Sequence, residues 1–177
     1  MIISREEKVI CVNEQDEYLG LANKMQAHID GTLHRAFSVF IMNDSGEMLL
    51  QQRAKNKYHS PGLWSNACCS HPRFGESTTA AAHRRMREEM GFDCSIEKIF
   101  TFRYKAEVGQ GLIENEYDHI YIGNYSGEII PNKEEVASYK YVAIDDLYEW
   151  MKKEPQLFTA WFKMVLPEFI ENRLVVS

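Results

Sequence analysis

With 177 residues, the chain is long enough for one well-buried domain and too short for two typical ones, and its 45% hydrophobic content is ordinary for a globular protein. A net charge of -6 argues against sequence-independent nucleic-acid binding. The start, 1–8, lacks the apolar core of a signal peptide, no segment is apolar enough to span a membrane, and the four cysteines lack paired spacing. We therefore expect one cytoplasmic domain over 1–177, with reduced cysteines and neither a membrane nor a nucleic-acid partner.

Strand patterns dominate the chain. In chain order they are predicted over Lys8–Asn13, Ala36–Met42, Glu47–Arg53, Trp64–Cys69, Lys98–Glu107, Tyr117–Tyr125 and Ser138–Ile144. Asn43–Gly46 predicts the turn of a hairpin, and Gly109 with Gly111 predicts another.

Three helices are predicted among these strands. Ser77 is a suitable N-cap for a helix that ends at Gly91, Asp145 and Asp146 open a second helix, and Phe158–Arg173 predicts the third. Because strands and helices do not alternate regularly, the pattern favours an α+β sandwich over a doubly wound sheet.

The helix before Gly91 carries a pattern similar to the Nudix box, G-x5-E-x7-R-E-U-x-E-E-x-G-U, in which U is bulky and apolar. The matching positions are Glu76, Arg84, Met86, Glu88, Glu89, Gly91 and Phe92. Two positions differ, because Ser70 replaces the first glycine and Arg85 replaces a glutamate. The box glutamates bind divalent cations, so Arg85 disfavours metal-dependent hydrolysis while still suiting a bound diphosphate.

Alternative interpretations remain open at this point. The arginines and glutamates of the helix could be surface i,i+4 pairs, contributing about 0.2–0.5 kcal/mol each. The protein could instead be a Nudix pyrophosphohydrolase or a non-catalytic module that binds a metal or a diphosphate. Cys68, Cys69 and His71 could also begin a structural zinc site, although the usual paired spacing is missing.

Several histidines and carboxylates have the character of metal ligands. His28 and His34 are close in sequence, and His71 follows a cysteine pair. Glu114 and Glu116 point to one face of an extended segment, because side chains alternate with a period of two. Such a mixed nitrogen and oxygen set suits Mn²⁺, Fe²⁺ or Zn²⁺. The remaining histidines are assigned to ordinary hydrogen bonding: His59, His83 and His119.

The chain resembles type 1 isopentenyl-diphosphate Δ-isomerase, a family of the Nudix superfamily, from about Lys8 to Trp161. The segments that carry the resemblance are His34–Ser38, Pro61–Asn66, Cys69–Pro72, Gly75–Ser77, Phe102–Tyr104 and Glu114–Glu116. The resemblance implies a mixed β-sheet sandwiched between helices, an isoprenoid diphosphate as substrate, and a monomer or weak homodimer.

The resemblance also implies roles for individual residues. The catalytic thiol falls on Cys69, the catalytic glutamate on Glu116 and its assisting tyrosine on Tyr104. The ligands of a tightly bound Mn²⁺ or Zn²⁺ fall on His28, His34, His71, Glu114 and Glu116, and a Mg²⁺ that arrives with the diphosphate falls on Glu89. The substrate-binding positions are Lys24, Arg53, Lys57 and Arg85 for the diphosphate and Trp161 for the carbon skeleton.

The implied reaction moves a double bond by adding a proton at C4 and removing one at C2, through a tertiary carbocation. Because an alkene is a very weak base, the acid must be strong, and a metal-bound carboxyl such as Glu116 suits this role. Cys69 suits the weaker base needed at C2. Which of the two donates and which removes the proton stays open.

Overall fold

The computed structural model describes the backbone of residues 7–176 and the side chains of residues 7–173; segment 1–6, part of the argument against a signal peptide, lies outside the described residues. The strands are β1 Lys8–Val12, β2 Tyr18–Asn23, β3 His34–Met42, β4 Glu47–Arg53, β5 Trp64–Ser65, β6 Cys68–Ser70, β7 Ile96–Gly109, β8 Leu112–Asn124 and β9 Val136–Ala143. The helices are α1 Lys24–Asp30, α2 Thr78–Met90, α3 Ile144–Lys153 and α4 Ala160–Val176. Among the helices of this described part, none combines the length and apolar character needed to cross a membrane.

Strand β3 organises a mixed β-sheet, which confirms the predicted architecture. It pairs antiparallel with β1, β4 and β6, and parallel with β8. Strands β7 and β8 form a long antiparallel hairpin, and β9 pairs with β4. The residues at the start of β3 therefore have neighbours from several parts of the chain.

Alternating side chains of β3 build two cores on opposite faces of the sheet. Phe37, Val39 and Ile41 pack in the core covered by α2. Phe40 and Met42 pack in the other core, with residues of α3 and α4. Burying each of the larger side chains contributes about 1.5–3 kcal/mol. Helices thus cover both faces, as the α+β prediction requires.

Helix α2 has the predicted boundaries. The Ser77 hydroxyl accepts a hydrogen bond from the Ala80 N–H at 3.1 Å, which satisfies one free amide of the first turn. The helix ends at Gly91, whose φ of 71° is left-handed. A Cβ atom there would lie 2.1 Å from the Ile130 carbonyl oxygen, so only glycine fits.

The prediction missed β2 and α1, which lie between the first two predicted strands. Helix α1 has only seven residues, too few to display a helical period in the sequence. Both ends of the helix are capped. The Asn23 side chain accepts a hydrogen bond from the Met25 N–H at 3.0 Å, and Gly31 ends the helix with a left-handed φ of 65°. The predicted Trp64–Cys69 strand is also wrong in detail: it is two short strands, β5 and β6.

Candidate active site and metal centre

Strand register brings the predicted acid, its tyrosine and one histidine together. Glu116 on β8 is paired with His34 on β3 and with Tyr104 on β7. Glu114 lies two residues earlier on the same face of β8 and is buried like Glu116. This face continues into the apolar core under α4, which contains Ile120 of β8.

Three histidines surround Glu116. The Nε2 atom of His71 lies 3.0 Å from Glu116 Oε1, and that of His34 lies 3.5 Å from the same oxygen. The two Nε2 atoms are 3.2 Å apart. Together with His28, these residues offer ligand atoms that all lie within 4.8 Å of one another.

The hydrogen bonds of two of the histidines prepare them for metal binding. His28 Nδ1 donates to the Lys24 carbonyl, and His34 Nδ1 to the Thr32 carbonyl, each at 2.7 Å. A carbonyl only accepts, so both neutral rings carry their lone pair on Nε2. The Nε2 atom of His28 is buried without a hydrogen-bond partner. A divalent ion would satisfy it, so the donor set fits a metal.

Burial also favours the neutral imidazoles that bind metals. It lowers the pKa of His71 to about 3, and it lowers the pKa of His28 as well. Burial opposes the ionised form of Glu116, but its contacts with His34 and His71 hold the pKa of that carboxyl well below its usual range. Neutral histidines beside a carboxylate are the form a cation requires, so this buried cluster is suited to holding a metal ion.

Tyr104 links the two carboxylates of β8. Its hydroxyl donates to Glu116 at 2.6 Å and lies 3.0 Å from Glu114. Burial and the neighbouring charge of Glu116 raise the pKa of Glu114. Burial and both carboxylates raise the pKa of Tyr104, so the tyrosine keeps its proton at neutral pH.

The two neighbouring cysteines lie on opposite faces of β6. Cys69 is paired with Ser38 of β3, and its Sγ lies 3.4 Å from the Ser38 hydroxyl and donates to Asn66 Oδ1 at 3.0 Å. Burial raises the pKa of the Cys69 thiol. Cys68 is 1% exposed and packs in the core under α2. Within the described side chains, no group of ligand atoms able to share an ion includes a cysteine, so the structural-zinc alternative is wrong.

A cavity of 390 Å³ collects the predicted site residues. Its lining includes the residues predicted for catalysis, for the diphosphate and for Mg²⁺: Lys24, Arg53, Lys57, Cys69, Arg85, Glu89, Tyr104, Glu116 and Trp161. His71 and Glu114 also line it, whereas His28 and His34 are buried with no exposed surface. The structure thus places every predicted site residue in the cavity or in the metal cluster next to it.

The box residues of α2 form an ionic network that runs from the exposed Glu88 to the buried Glu89. Arg84 binds Glu76 through two hydrogen bonds of 2.8 and 2.9 Å, which ties the start of the box to the helix. Arg85 donates to Glu88 and Glu89. The Arg85 and Glu89 side chains are only 17% and 6% exposed, so this pair is not a surface pair, whereas Arg84 forms an i,i+4 pair with Glu88, which is 40% exposed. The positively charged side chain of Arg85 therefore occupies the position at which the Nudix box has a glutamate.

The sequence analysis missed residues that contact the site. Glu135, from the segment before β9, forms ion pairs with Lys57 and Arg85. His59 was assigned to ordinary hydrogen bonding, but its Nε2 lies 3.3 Å from Glu114 Oε1. The only feature of the sequence that could have indicated this contact is that His59 lies two residues after Lys57, a predicted substrate-binding residue. The other two histidines of that class are confirmed, since His83 contacts Asp93 and His119 contacts Asp16.

The fold and the box define a Nudix-domain protein. A model of the NUDIX domain matches residues 32–162. A solved protein from Deinococcus radiodurans has a TM-score of 0.70 at 17% identity, covering 83% of this chain and 90% of its own. The Nudix hydrolase RenU from M. Smegmatis has a TM-score of 0.60 at 16% identity and covers 97% of both chains. At such low identity these likenesses establish the fold alone.

Sequence relatives identify the family within this class. The isopentenyl-diphosphate Delta-isomerase 2 of Photorhabdus laumondii is 47% identical over 161 residues, which cover 91% of each chain. The isopentenyl-diphosphate Delta-isomerase of Photobacterium profundum is 49% identical over 175 residues, covering 96% of this chain and 97% of the relative. The chain belongs to the isopentenyl-diphosphate Delta-isomerase family.

Proposed function

We propose that this chain interconverts isopentenyl diphosphate and dimethylallyl diphosphate, a reaction of isoprenoid biosynthesis, and that Glu116, Tyr104 and Cys69 carry its proton transfers. One observation carries the proposal. The Cys69 thiol and the Tyr104–Glu116 pair line the same cavity as the four predicted diphosphate cations. A substrate anchored by its diphosphate therefore has both proton-transfer groups within the same enclosed space.

The diphosphate binds to the cationic part of the cavity. Lys24, Arg53, Lys57 and Arg85 line this part and supply the positive charges, and Glu89 would hold a Mg²⁺ that arrives with the diphosphate. Support comes from Arg85, whose side chain is largely buried in a network with Glu88 and Glu89 and is thus held in place. Charge-assisted hydrogen bonds from fixed arginines are strong and directional, so they orient the carbon skeleton.

The tightly bound metal is Mn²⁺ or Zn²⁺, held by His28, His34, His71, Glu114 and Glu116. The ligand atoms of His28, His34, His71 and Glu116 lie within 4.8 Å of one another, and the Nε2 atom of His28 is unsatisfied, which supports this assignment; Glu114 is grouped with His28 and His59. When bound, the ion lowers the pKa of the carboxyl it contacts and so makes its protonated form a stronger acid.

Glu116 and Cys69 carry the two proton transfers: one of them delivers a proton to C4 of the substrate, and the other removes a proton from C2. A C–H bond forms at C4 as the double bond is consumed, and the pair of electrons from the broken C2–H bond forms the new double bond. The hydroxyl of Tyr104, 2.6 Å from Glu116, orients the carboxyl and helps replace its proton. In the reverse reaction the two residues exchange roles.

Trp161 protects the cationic intermediate. Trp161 is 3% exposed and lies on the cavity wall, beside the apolar core under α4. The face of an indole ring stabilises a cation by about 0.5–2 kcal/mol. The apolar surroundings also exclude water, which would otherwise add to the cation.

Proton NMR of the enzyme with isopentenyl diphosphate and Mg²⁺ in D₂O tests the proposal. We expect deuterium in dimethylallyl diphosphate and no release of phosphate. Cys69→Ala should abolish turnover with the fold and metal content preserved. Cys68→Ala is the matched control, because this thiol packs on the opposite face of β6 and should leave the chemistry intact. Phosphate release from a nucleoside diphosphate derivative, without isomerisation, would instead support a Nudix hydrolase.

A further inference from the structure

Glu135 is a buried carboxylate that takes no part in the proposed proton transfers. It lies directly before β9 and is 7% exposed. Lys57 and Arg85 line the cavity, and Glu135 contacts both of them from outside the cavity lining. Burial of a carboxylate is unfavourable unless cations or hydrogen-bond donors accompany it. The two cations are therefore what keeps Glu135 in this position.

One oxygen of Glu135 joins cations from two separate parts of the chain. Its Oε2 atom forms an ion pair with Lys57, in the loop between β4 and β5, and lies 3.6 Å from Nη2 of Arg85 on α2. Two cations that share one oxygen lie close enough to repel each other. A carboxylate that contacts both offsets this repulsion and allows both side chains to remain beside the cavity.

The backbone around Glu135 fixes the carboxylate in relation to both cations. The carbonyl of Glu135 accepts a hydrogen bond from the N–H of Ala54, the residue after β4, at 3.0 Å. The N–H of Glu135 donates to the Asn132 carbonyl at 3.0 Å, and the Asn132 N–H donates to the Glu89 carbonyl of α2 at 2.9 Å. Segment 132–135 therefore connects the end of β4 to the last turn of α2, and these are the elements next to the two cations.

Lys24, another of the proposed diphosphate cations, has a partner in a different place. Its Nζ lies 3.1 Å from Oε2 of Glu7, whose side chain is 43% exposed and lines the cavity. A diphosphate that enters the cavity can take the place of Glu7. It has no such access to Glu135, which is buried outside the lining. Glu135 can therefore keep its contacts with Lys57 and Arg85 while the substrate is bound.

We propose that Glu135 is a positioning residue, which holds Lys57 and Arg85 at the spacing that the diphosphate of the substrate requires. This inference rests on the roles of these two cations in the proposed function. The lysine side chain is a flexible chain that carries a point charge, so binding through it costs less ordering when another contact has already restricted its motion. Glu135 provides this restriction before the substrate arrives.

The charge of Glu135 and its positioning role have opposite effects on the affinity for an anion. Removal of the carboxylate leaves one more unit of net positive charge beside the cavity, which by itself strengthens the binding of a diphosphate. Loss of positioning weakens that binding, because the diphosphate must then order Lys57 and Arg85 itself. The positioning role predicts that the second effect is the larger one.

Calorimetric titration of the metal-loaded enzyme with inorganic pyrophosphate and Mg²⁺ tests the inference. Glu135→Gln should bind pyrophosphate about 10-fold more weakly, the change expected from the loss of one charge-assisted hydrogen bond. The KM for isopentenyl diphosphate should rise by a similar factor with kcat nearly unchanged, because the diphosphate is bound in both the ground state and the transition state. Glu128→Gln makes the same change of charge at an exposed residue between β8 and β9, and it should match the wild type.

Equal or tighter binding of pyrophosphate by Glu135→Gln would overturn the inference. A lower kcat with an unchanged KM would also overturn it, because that pattern indicates only a smaller fraction of folded enzyme. If Glu135→Gln does not fold, Glu135→Asp replaces it, since this variant keeps the charge but is one methylene too short to contact both cations. Glu135→Asp should also bind pyrophosphate more weakly, and wild-type affinity would contradict the positioning role. Failure of the proposed function looks different, because the wild-type enzyme itself would then leave isopentenyl diphosphate unchanged.

Discussion

Removal of the Tyr104 hydroxyl measures how much the contact with Glu116 contributes to proton transfer. Tyr104→Phe deletes one oxygen, which lies 2.6 Å from Glu116 and 3.0 Å from Glu114. The hydroxyl has one proton to donate, and the shorter distance assigns it to Glu116. A hydrogen bond to a charged group contributes about 1.5–3 kcal/mol.

If this contribution is made in the transition state, kcat of Tyr104→Phe falls about 10- to 150-fold, since 1.36 kcal/mol corresponds to a factor of ten. KM should stay nearly the same, because the diphosphate is bound by the cations and not by the tyrosine. Conversion of isopentenyl diphosphate followed by proton NMR at several substrate concentrations gives both constants, and metal analysis confirms that the ion is retained.

Tyr121→Phe is a matched control. Its hydroxyl is also buried and lies 2.7 Å and 3.0 Å from the hydroxyls of Thr78 and Thr79, on the α2 side of the sheet. Tyr121→Phe should lose about 1 kcal/mol of stability, the usual net value of a neutral hydrogen bond, and Tyr104→Phe about 1.5–3 kcal/mol, because its partner is a carboxylate. Only Tyr104→Phe should lose activity. An unchanged kcat for Tyr104→Phe, or an equal loss in Tyr121→Phe, would refute the reasoning.

Three further substitutions test other parts of the structure. Gly91→Ala should reduce the free energy of unfolding by more than about 1 kcal/mol, because its Cβ would lie 2.1 Å from the Ile130 oxygen; wild-type behaviour in urea would contradict this. Burial raises the pKa of Glu135, but its ion pair with Lys57 outweighs this and holds the pKa below the usual value. Glu135→Gln should therefore be less stable than the wild type above about pH 4.3, and urea unfolding should show this difference shrink as the pH falls through the folded pKa. Trp161→Leu should lower kcat about 2- to 30-fold and produce some alcohol, detected by NMR, through loss of the cation–π contact and of water exclusion.

Local patterns in the sequence predicted much of the fold. Ser77 and Gly91 delimited α2 correctly, because capping depends on residues that are adjacent in the chain. Helix α1 was missed because seven residues are too few to show a period, and its end contacts hold it in place. The residues of the site were predicted mainly through the family resemblance, which supplied the roles of Cys69 and Trp161.

The sequence by itself determined which side chains share a face, because the strand period places Glu114 and Glu116 together. It also determined that a cation, Arg85, replaces a box glutamate. Only the tertiary structure decided that His34 and Tyr104 flank Glu116, because that depends on the register of β8 against β3 and β7. The tertiary structure also decided that His59 lies beside Glu114, because the path of a loop depends on contacts between segments that are distant in the sequence.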